Sequence, residues 1–280
     1  MSKSNIPLPL QEIPDSPKRL FTRGTLPSLD DYVFLTVVGS RKYSNYGRDA
    51  CEQLIAGLRG YPIVIVSGLA LGMDSIAHRA ALDNGLKTVA VPGSGLDDAV
   101  IYPATNLSLA HEIILNGGAL LSEFESDTRA ERWTFPRRNR IMAGLSRATL
   151  VVEATNKSGT RITAKLATEY NRDVLAVPGS IFSDGSSGTN ELIKLGATPI
   201  TSSADILQAL GFNVTETTPD DAMLDCTEQE RAVLSVLASP MPRGELIRQV
   251  GMNVGQVNVI IATLEIKGLI KETMGEVRRV

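Results

Sequence analysis

The feature that most constrains the fold is an alternation of short apolar segments with segments of helical length. Six apolar segments recur, most of them ending at a glycine: YVFLTVVG (32–39), IVIVSG (63–68), KTVAVPG (87–93), GGALLSE (117–123), ATLVVEA (148–154) and DVLAVPG (173–179). Continuous apolar runs of this length are typical of strands buried on both faces of a parallel sheet. Since amphipathic stretches such as 45–59 and 73–85 separate them, the pattern predicts an α/β fold with a Rossmann-like, doubly wound, mostly parallel sheet.

The alternation occupies residues 32–212 and stops on either side. Residues 1–31 are rich in proline and turn formers, so we expect an extended N-terminal arm laid on the main domain. Residues 213–225 are polar and aperiodic, which indicates a linker. Residues 226–280 contain three short helical patterns and a tail compatible with a β-hairpin. We therefore expect a small winged-helix-like domain there, and a different small helical bundle is the alternative.

Composition excludes several classes of protein. The 280 residues carry a net charge of −3, so any affinity for a polyanion must come from a local patch. Two distant cysteines indicate no disulfide framework, and no signal-like segment or run of about 20 apolar residues is present. We expect a cytoplasmic protein without membrane contact. His78 and His111 lie in helical patterns without metal-ligand spacing, and no nucleophile-elbow motif occurs, so no metal, cofactor or catalytic residue is expected.

Glycine-rich turns follow several predicted strands. They are GSR (39–41), SGLALGMD (67–74), PGSG (92–95) and SGT (158–160). Ligands of open α/β sheets bind at the carboxyl ends of the strands, where such turns let backbone N–H groups approach an anion. The first turn lacks G-x-G-x-x-G and no P-loop motif exists, which disfavours a dinucleotide or an NTP. Each turn alone is equally explained by the tight connections that βα units need.

Positive charge is concentrated in one stretch, residues 129–147, which holds six arginines and one acid. Arg41, Arg138, Arg140 and Lys157 would together line the predicted strand-end rim with fixed positive charge. Guanidinium groups suit phosphate, so this pattern predicts contact with a phosphodiester backbone. The alternative is that the arginines form structural ion pairs with the preceding acids, which are Glu123, Glu125 and Asp127.

Seven motifs in this order resemble the DprA/Smf family of DNA-processing proteins. They are VVGSR, SGLALGMDSIAH, PGSGLD followed by YP, LLSE, FPRRNRIMAGLS, VVEA followed by KSGTRITA, and DVLAVPGS, and they cover roughly residues 7–212. The resemblance implies a non-enzymatic, sequence-independent single-stranded DNA-binding protein that protects the strand and loads a RecA-type recombinase. It also implies a homodimer and an association with natural transformation.

The resemblance places the DNA pocket on ten residues: Ser40, Arg41, Ser67, Gly68, Arg138, Asn139, Arg140, Lys157, Ser158 and Gly159. Two departures from the family pattern stand out. Many members carry an N-terminal helical domain, in whose place this chain has only residues 1–31. Many members also carry a DNA-reaching lysine after the YP pair, where this chain has Ala104.

Two other functions compete with this interpretation. Nucleotide phosphoribohydrolases of the Lonely guy type share the superfamily of folds but use P-G-G-x-G-T-x-x-E, and the position of the glutamate is Thr163 here. A transcription factor acting through the winged helix is the other alternative. Residues 225–280 hold seven basic and seven acidic residues, and the third helical pattern offers one lysine, which is poor material for groove recognition.

Overall fold

A computed structural model of the chain describes residues 2–3, 6–156, 158–213, 226–237, 239–267, 269–273 and 275–279. The chain divides into two compact units, Met1–Asn213 and Val214–Val280. Each unit has its own hydrophobic core.

A nine-stranded sheet forms the centre of the first unit. Its strands are β1 (Ser2–Lys3), β2 (Phe21–Gly24), β3 (Val33–Val38), β4 (Ile63–Ser67), β5 (Lys87–Ala90), β6 (Ala119–Ser122), β7 (Ala148–Val151), β8 (Asp173–Ala176) and β9 (Thr198–Pro199). Their spatial order is β1-β2-β6-β5-β4-β3-β7-β8-β9. Every pairing from β6 to β9 is parallel, while β2 pairs antiparallel with β1 and β6. The six predicted strands are confirmed as β3 to β8, and with them the doubly wound fold class.

Helices cover the sheet between the strands. They are α1 (Leu8–Gln11), α2 (Asn45–Ala56), α3 (Met73–Asp83), α4 (Leu107–Leu115), α5 (Thr134–Leu145), α6 (Thr160–Glu169), α7 (Asp184–Lys194) and α8 (Ser203–Ala209), with a 3-10 turn at Ala104–Asn106. Helix α5 is anchored through its apolar second half, because Ile141, Met142 and Leu145 are buried in the main core. Its first turns therefore carry the arginine-rich segment to the sheet's carboxyl edge in a fixed orientation.

The strand order reverses at β3. From this strand the chain builds the sheet outward through β4, β5 and β6 on one side, and through β7, β8 and β9 on the other. The loops that leave β3 and β7 consequently part in opposite directions and open a crevice between them. In open α/β sheets this crevice is the usual position of a ligand.

Residues 1–31, which we expected to be an extended arm laid on the domain, are also part of its sheet and core. Residues Phe21–Gly24 pair antiparallel with β6, Phe21 opposite Ser122 and Gly24 opposite Ala119. The side chains of Leu10 and Leu20 are fully buried. A four-residue strand between turn-forming residues shows too little periodicity to be recognised from sequence.

The second unit combines three helices with a small sheet. Its elements are α9 (Glu228–Val236), β10 (Met241–Pro242), α10 (Arg243–Val250), α11 (Val254–Ile266), β11 (Ile270–Thr273) and β12 (Glu276–Arg279), with strand order β10-β12-β11. Helix α9 begins with a capping box in which Thr227 and Glu230 each bond the other's backbone N–H. Three helices followed by a hairpin confirm the expected winged helix. The linker predicted at 213–225 lies, apart from its first residue, outside the described residues.

Within the described part of the chain, no helix combines the length and apolar character that crossing a membrane requires.

Candidate nucleic-acid interface

A cavity of about 450 Å³ lies at the carboxyl ends of β3 and β7, where the strand order reverses. We call it the strand-end pocket. Three segments supply most of its lining: the turn after β3 (Gly39, Ser40, Arg41, Lys42), the first half of α5 (Phe135, Arg138, Asn139) and the start of α6 (Ser158, Gly159, Thr160). Ala70 and Asp74, which lie before and in the first turn of α3, also line it. Six of the ten residues implied by the resemblance thus share one cavity: Ser40, Arg41, Arg138, Asn139, Ser158 and Gly159.

The turn after β3 holds Arg41 at the mouth of this pocket. A side chain at Gly39 would place its Cβ 2.6 Å from Cγ of Met73, so only glycine allows α3 to pack so closely. The Met73 N–H donates to the Ser40 carbonyl at 3.1 Å, and the Ser40 hydroxyl accepts the Lys42 N–H at 3.0 Å. Arg41 itself is exposed, and its guanidinium lies 5.3 Å from the centre of the Phe135 ring. Among the described residues, no acidic side chain forms an ion pair with it.

Arg138 lines the pocket from below, with only 5% of its surface exposed. Its Nη1 donates to the Val91 carbonyl, its Nε donates to Oδ1 of Asn139 at 2.9 Å, and its Nη2 lies 3.8 Å from Oδ2 of Asp74. Burial lowers the pKa of Arg138, against the opposing effect of Asp74. The side chain is therefore a fixed positive charge beneath the pocket, held on several sides by protein acceptors.

Asp74 is the functional partner that the sequence did not reveal. Beyond the ion pair with Arg138, its carboxylate accepts the N–H groups of Gly68 at 3.1 Å and Ala70 at 3.4 Å. Burial raises the pKa of Asp74, while the Arg138 charge and the two N–H groups oppose that rise. Asp74 thereby ties the turn after β4 to Arg138.

Ser67 and Gly68 act below the pocket and do not line it. Ser67 is buried, and its hydroxyl donates to the Val37 carbonyl at 2.7 Å. The Arg138 guanidinium lies against the backbone of Gly68, where any Cβ would overlap it. These two residues shape the floor on which Arg138 rests.

The start of α6 forms the third side of the pocket. The Ser158 hydroxyl accepts the Thr160 N–H at 3.2 Å, and the Thr160 hydroxyl donates to the Gly39 carbonyl at 3.1 Å. This bond joins the loop before α6 to the turn after β3. Gly159 is exposed with open space around it, so a ligand can approach the backbone closely at this point. Lys157, also predicted for this site, lies outside the described residues.

Arg140 is not brought together with the other predicted residues. It is 6% exposed on the opposite face of α5, where its Nη2 donates to Oε2 of Glu123 at 2.6 Å. Arg137 lies 3.0 Å from the same carboxylate oxygen, and Glu125 pairs with Arg19. The alternative of structural ion pairs thus describes Arg137 and Arg140, while Arg41 and Arg138 line the pocket. Helical spacing carries the signal, because residues 137 and 140 share one face and 138 and 139 point elsewhere.

The two histidines have structural surroundings. His78 is fully buried, and its Nδ1 donates to the Thr88 hydroxyl at 2.7 Å, since that hydroxyl gives its own proton to the Ile65 carbonyl. Burial and the charge of Arg138 lower the pKa of His78 to about 3, so the ring is neutral. His111 contacts Asp98 at 3.0 Å on the surface. Among the described residues, no group of three or more His, Cys, Asp or Glu side chains is arranged to hold a metal ion.

Two family models match the chain. One, described as DNA recombination-mediator protein A, matches residues 1–211, and the other, described as DprA winged helix domain, matches residues 215–276. The chain is 41% identical to the protein Smf of Escherichia coli over 252 residues, which are 88% of this chain and 63% of that protein. It is 46% identical to the DNA processing protein DprA of Streptococcus pneumoniae over 206 residues, which are 74% of this chain and 71% of that protein. The chain therefore spans less than two thirds of the length of the Escherichia coli protein.

Two solved structures share this fold. The X-ray structure of DNA processing protein A from Streptococcus pneumoniae matches with a TM-score of 0.67 and 43% identity, covering 74% of this chain and 71% of that one. DNA processing protein A from Helicobacter pylori matches with a TM-score of 0.68 and 33% identity, covering 75% of this chain and 94% of that one. The second structure concerns the single-stranded DNA binding mode of that protein.

Proposed function

Because the chain belongs to the DNA recombination-mediator protein A family, of the DprA and Smf DNA-processing proteins, we propose that it binds single-stranded DNA in its strand-end pocket. The observation that carries this proposal is the pairing of Arg41 with Phe135. An exposed guanidinium that has no acidic partner among the described residues lies over an aromatic ring, at the switch point of an open α/β sheet.

The chemistry of the pocket favours a single strand over other anions. The exposed Arg41 guanidinium is a donor for phosphate oxygens, and the buried Arg138 adds positive charge from below. Phe135 adds an aromatic surface on which an unpaired base can stack. None of these groups reads the edge of a base, so we propose binding without sequence preference.

We further propose that the bound strand is protected and handed to a RecA-type recombinase, and that the protein acts in the cytoplasm as a homodimer. The family description as a recombination mediator supports this role, and so does the 46% identity with the Streptococcus pneumoniae DNA processing protein. On this proposal the chain acts by binding and chemically transforms no substrate. Recombinase ATPase activity on a strand already coated with a single-strand-binding protein measures loading, and analytical ultracentrifugation measures the oligomeric state.

Fluorescence anisotropy with a labelled oligothymidylate tests the binding proposal directly. We expect saturable binding that Arg41→Ala weakens strongly, and competition by an unlabelled strand but not by an equimolar mononucleotide. Arg132→Ala is the matched control, because Arg132 is an exposed arginine outside the strand-end pocket. Equal loss from both variants would contradict the assignment of the pocket, and preferential binding of the mononucleotide would favour a nucleotide-binding enzyme.

A further inference from the structure

A second, larger cavity lies on the other face of α5. Its volume is about 1160 Å³, and Arg19, Phe124, Trp133 and Arg137 are among its lining residues. We call it the aromatic cleft. The proposed pocket for single-stranded DNA does not include it, although two of the six arginines of the arginine-rich stretch, Arg137 and Arg140, line it.

Helical periodicity divides the arginine-rich segment between the two cavities. Phe135, Arg138 and Asn139 turn toward the strand-end pocket, whereas Trp133 and Arg137, four residues apart, turn toward the aromatic cleft. Pro136, together with Ile162 of α6, lines both cavities. The two spaces are therefore neighbours that share lining residues at the first turn of α5.

Trp133 is held in place but half of it faces solvent. The ring is 51% exposed and meets Phe124 edge-on, with 5.6 Å between the ring centres. Its indole N–H donates to Oε2 of Glu131 at 2.8 Å, so its polar atom is already satisfied. The Arg137 guanidinium lies 6.0 Å from the ring centre. A large aromatic ring that is oriented by neighbours and still exposed is suited to stacking on a flat ligand.

The charge of the aromatic cleft differs from that of the strand-end pocket. Four cationic side chains (Lys18, Arg19, Arg137, Arg140) and three acidic ones (Asp15, Glu123, Glu125) line it. Most of them are already paired with one another, among them Arg19 with Glu125, and Arg137 and Arg140 with Glu123. This cleft therefore offers little free charge to phosphate, and its available chemistry is the face of an aromatic ring.

We propose that a DNA strand held in the strand-end pocket continues across Pro136 into the aromatic cleft, where one of its bases stacks on Trp133. This inference rests on the proposed function of the first pocket. It adds a second subsite of different chemistry, in which affinity comes from base stacking and little from charge. A strand too short to span both cavities gains nothing from the second one.

Trp133 is the only tryptophan in the chain, so its fluorescence reports on this subsite alone. Oligothymidylates of about 4 and about 16 nucleotides cover the range of lengths that single-strand sites occupy. The longer strand should quench the tryptophan emission in step with binding measured by anisotropy. The shorter strand should bind, more weakly, without that quenching.

Substitution of Trp133 provides the second measurement. Trp133→Ala should weaken binding of the longer strand at least about fivefold, which corresponds to the lower end of the free energy of base stacking on an aromatic ring. It should leave the affinity for the shorter strand unchanged, and Trp133→Phe should keep most of the affinity for the longer strand that Trp133→Ala loses. For Trp133→Ala, the slope of log affinity against log salt concentration should equal that of the wild-type protein. Leu115→Ala is the control, because it removes another exposed apolar side chain (82% exposed) from a helix that lines neither cavity.

The outcomes separate this inference from the proposed function. Binding of the longer strand with no quenching and no loss in Trp133→Ala would overturn the second subsite and leave the first intact. A loss of affinity that is equal for both strand lengths would also overturn it. If neither strand binds the wild-type protein, the proposed function fails and this inference fails with it.

Discussion

Arg138 and Asp74 form a buried ion pair, with 3.8 Å between Nη2 and Oδ2, in the lining of the strand-end pocket. The guanidinium also lies on the backbone of Gly68, whose N–H donates to the same carboxylate. These two side chains therefore join three segments: the turn after β4, the turn after β5 and the first half of α5. We therefore expect substitutions of Arg138 or Asp74 to lower the stability of the protein as much as substitutions in the hydrophobic core.

We predict that Asp74→Asn destabilises the protein by about 3–5 kcal/mol, the usual result of leaving one partner of a buried pair without its counter-charge. The amide keeps the size of the carboxylate and an oxygen for the Gly68 N–H, so the loss reports mainly on charge. Chemical denaturation monitored by circular dichroism measures it. Adding Arg138→Met should recover much of the stability, since an apolar side chain of similar length needs no partner. A double variant no more stable than Asp74→Asn would contradict the ion-pair explanation.

The cationic residues are predicted to contribute unequally to binding. Arg41→Ala should cost about 1.5–3 kcal/mol, the range for hydrogen bonds to charged groups, which corresponds to roughly ten- to hundredfold in affinity. Arg129 and Arg132 are exposed outside the pocket, so each should cost under about 1 kcal/mol. Titration of a labelled oligonucleotide at fixed salt compares them, with a thermal melt of each variant as the folding control. Similar losses from Arg129→Ala and Arg41→Ala would indicate a diffuse cationic patch.

Binding should weaken steeply with salt. For single strands the logarithm of affinity falls by about 0.7 per neutralised phosphate for each unit of log salt, so about four contacts give a slope near −3. Duplex DNA should bind more weakly, because its bases are already paired and cannot stack on Phe135. Anisotropy titrations over a series of chloride concentrations measure both strands. A flat salt response, or equal affinity for duplex, would be incompatible with a phosphate-binding pocket.

The winged helix should contribute little to strand affinity. Its unit has no basic excess, and α11, the helix that reads DNA in other winged helices, exposes the apolar side chains of Val259 and Ile266. A chain that ends at residue 224 should therefore bind a single strand within about twofold of the full chain, a difference under about 0.5 kcal/mol. A tenfold loss would move DNA contacts into this unit. Circular dichroism of the shortened chain verifies that the sheet is intact.

His78 predicts a pH dependence of stability. Its pKa is about 3 in the folded protein, against about 6.5 for an unperturbed histidine, so between these values only the unfolded chain binds this proton. Stability is then present above pH 6.5 and is lost as the pH falls, by up to about 1.4 kcal/mol per pH unit. From pH 7 to pH 5 the wild type should lose about 2 kcal/mol more than His78→Asn, which does not titrate. Parallel curves for the two proteins over this interval would show that His78 accepts a proton in the fold.

The strands with the strongest sequence patterns were predicted, and the strand with a weak pattern was missed. Strands β3 to β8 were predictable because each is a continuous apolar run between turn residues, and burial on both faces requires that composition. Strand β2 was not, because four residues of which only Thr22 is buried carry no detectable period. Its place beside β6 depends on long-range pairing, which no local pattern encodes.

The location of the candidate site could be predicted from the sequence better than the contacts within it. Glycine turns at strand ends located the strand-end pocket, and Arg41 lies in it as expected. Arg138 and Arg140 lie in different surroundings because they pair with different acids. These acids are Asp74 and Glu123, which lie 64 and 17 residues away in the chain. Charge counting could not distinguish a guanidinium that faces a ligand from one that neutralises a buried carboxylate. The helical spacing of Trp133 and Arg137 was the available clue to a second cavity.

Helix α5 separates two cavities of unlike chemistry with its own two faces, and this makes the segment intolerant of changes in length. One inserted or deleted residue near its start would rotate the preceding side chains by about 100° around the helix axis. Phe135 would then leave the strand-end pocket and Trp133 would leave the aromatic cleft in a single event. Homologous chains can therefore vary the residues of this turn one at a time, but insertions and deletions should be confined to the loop before it.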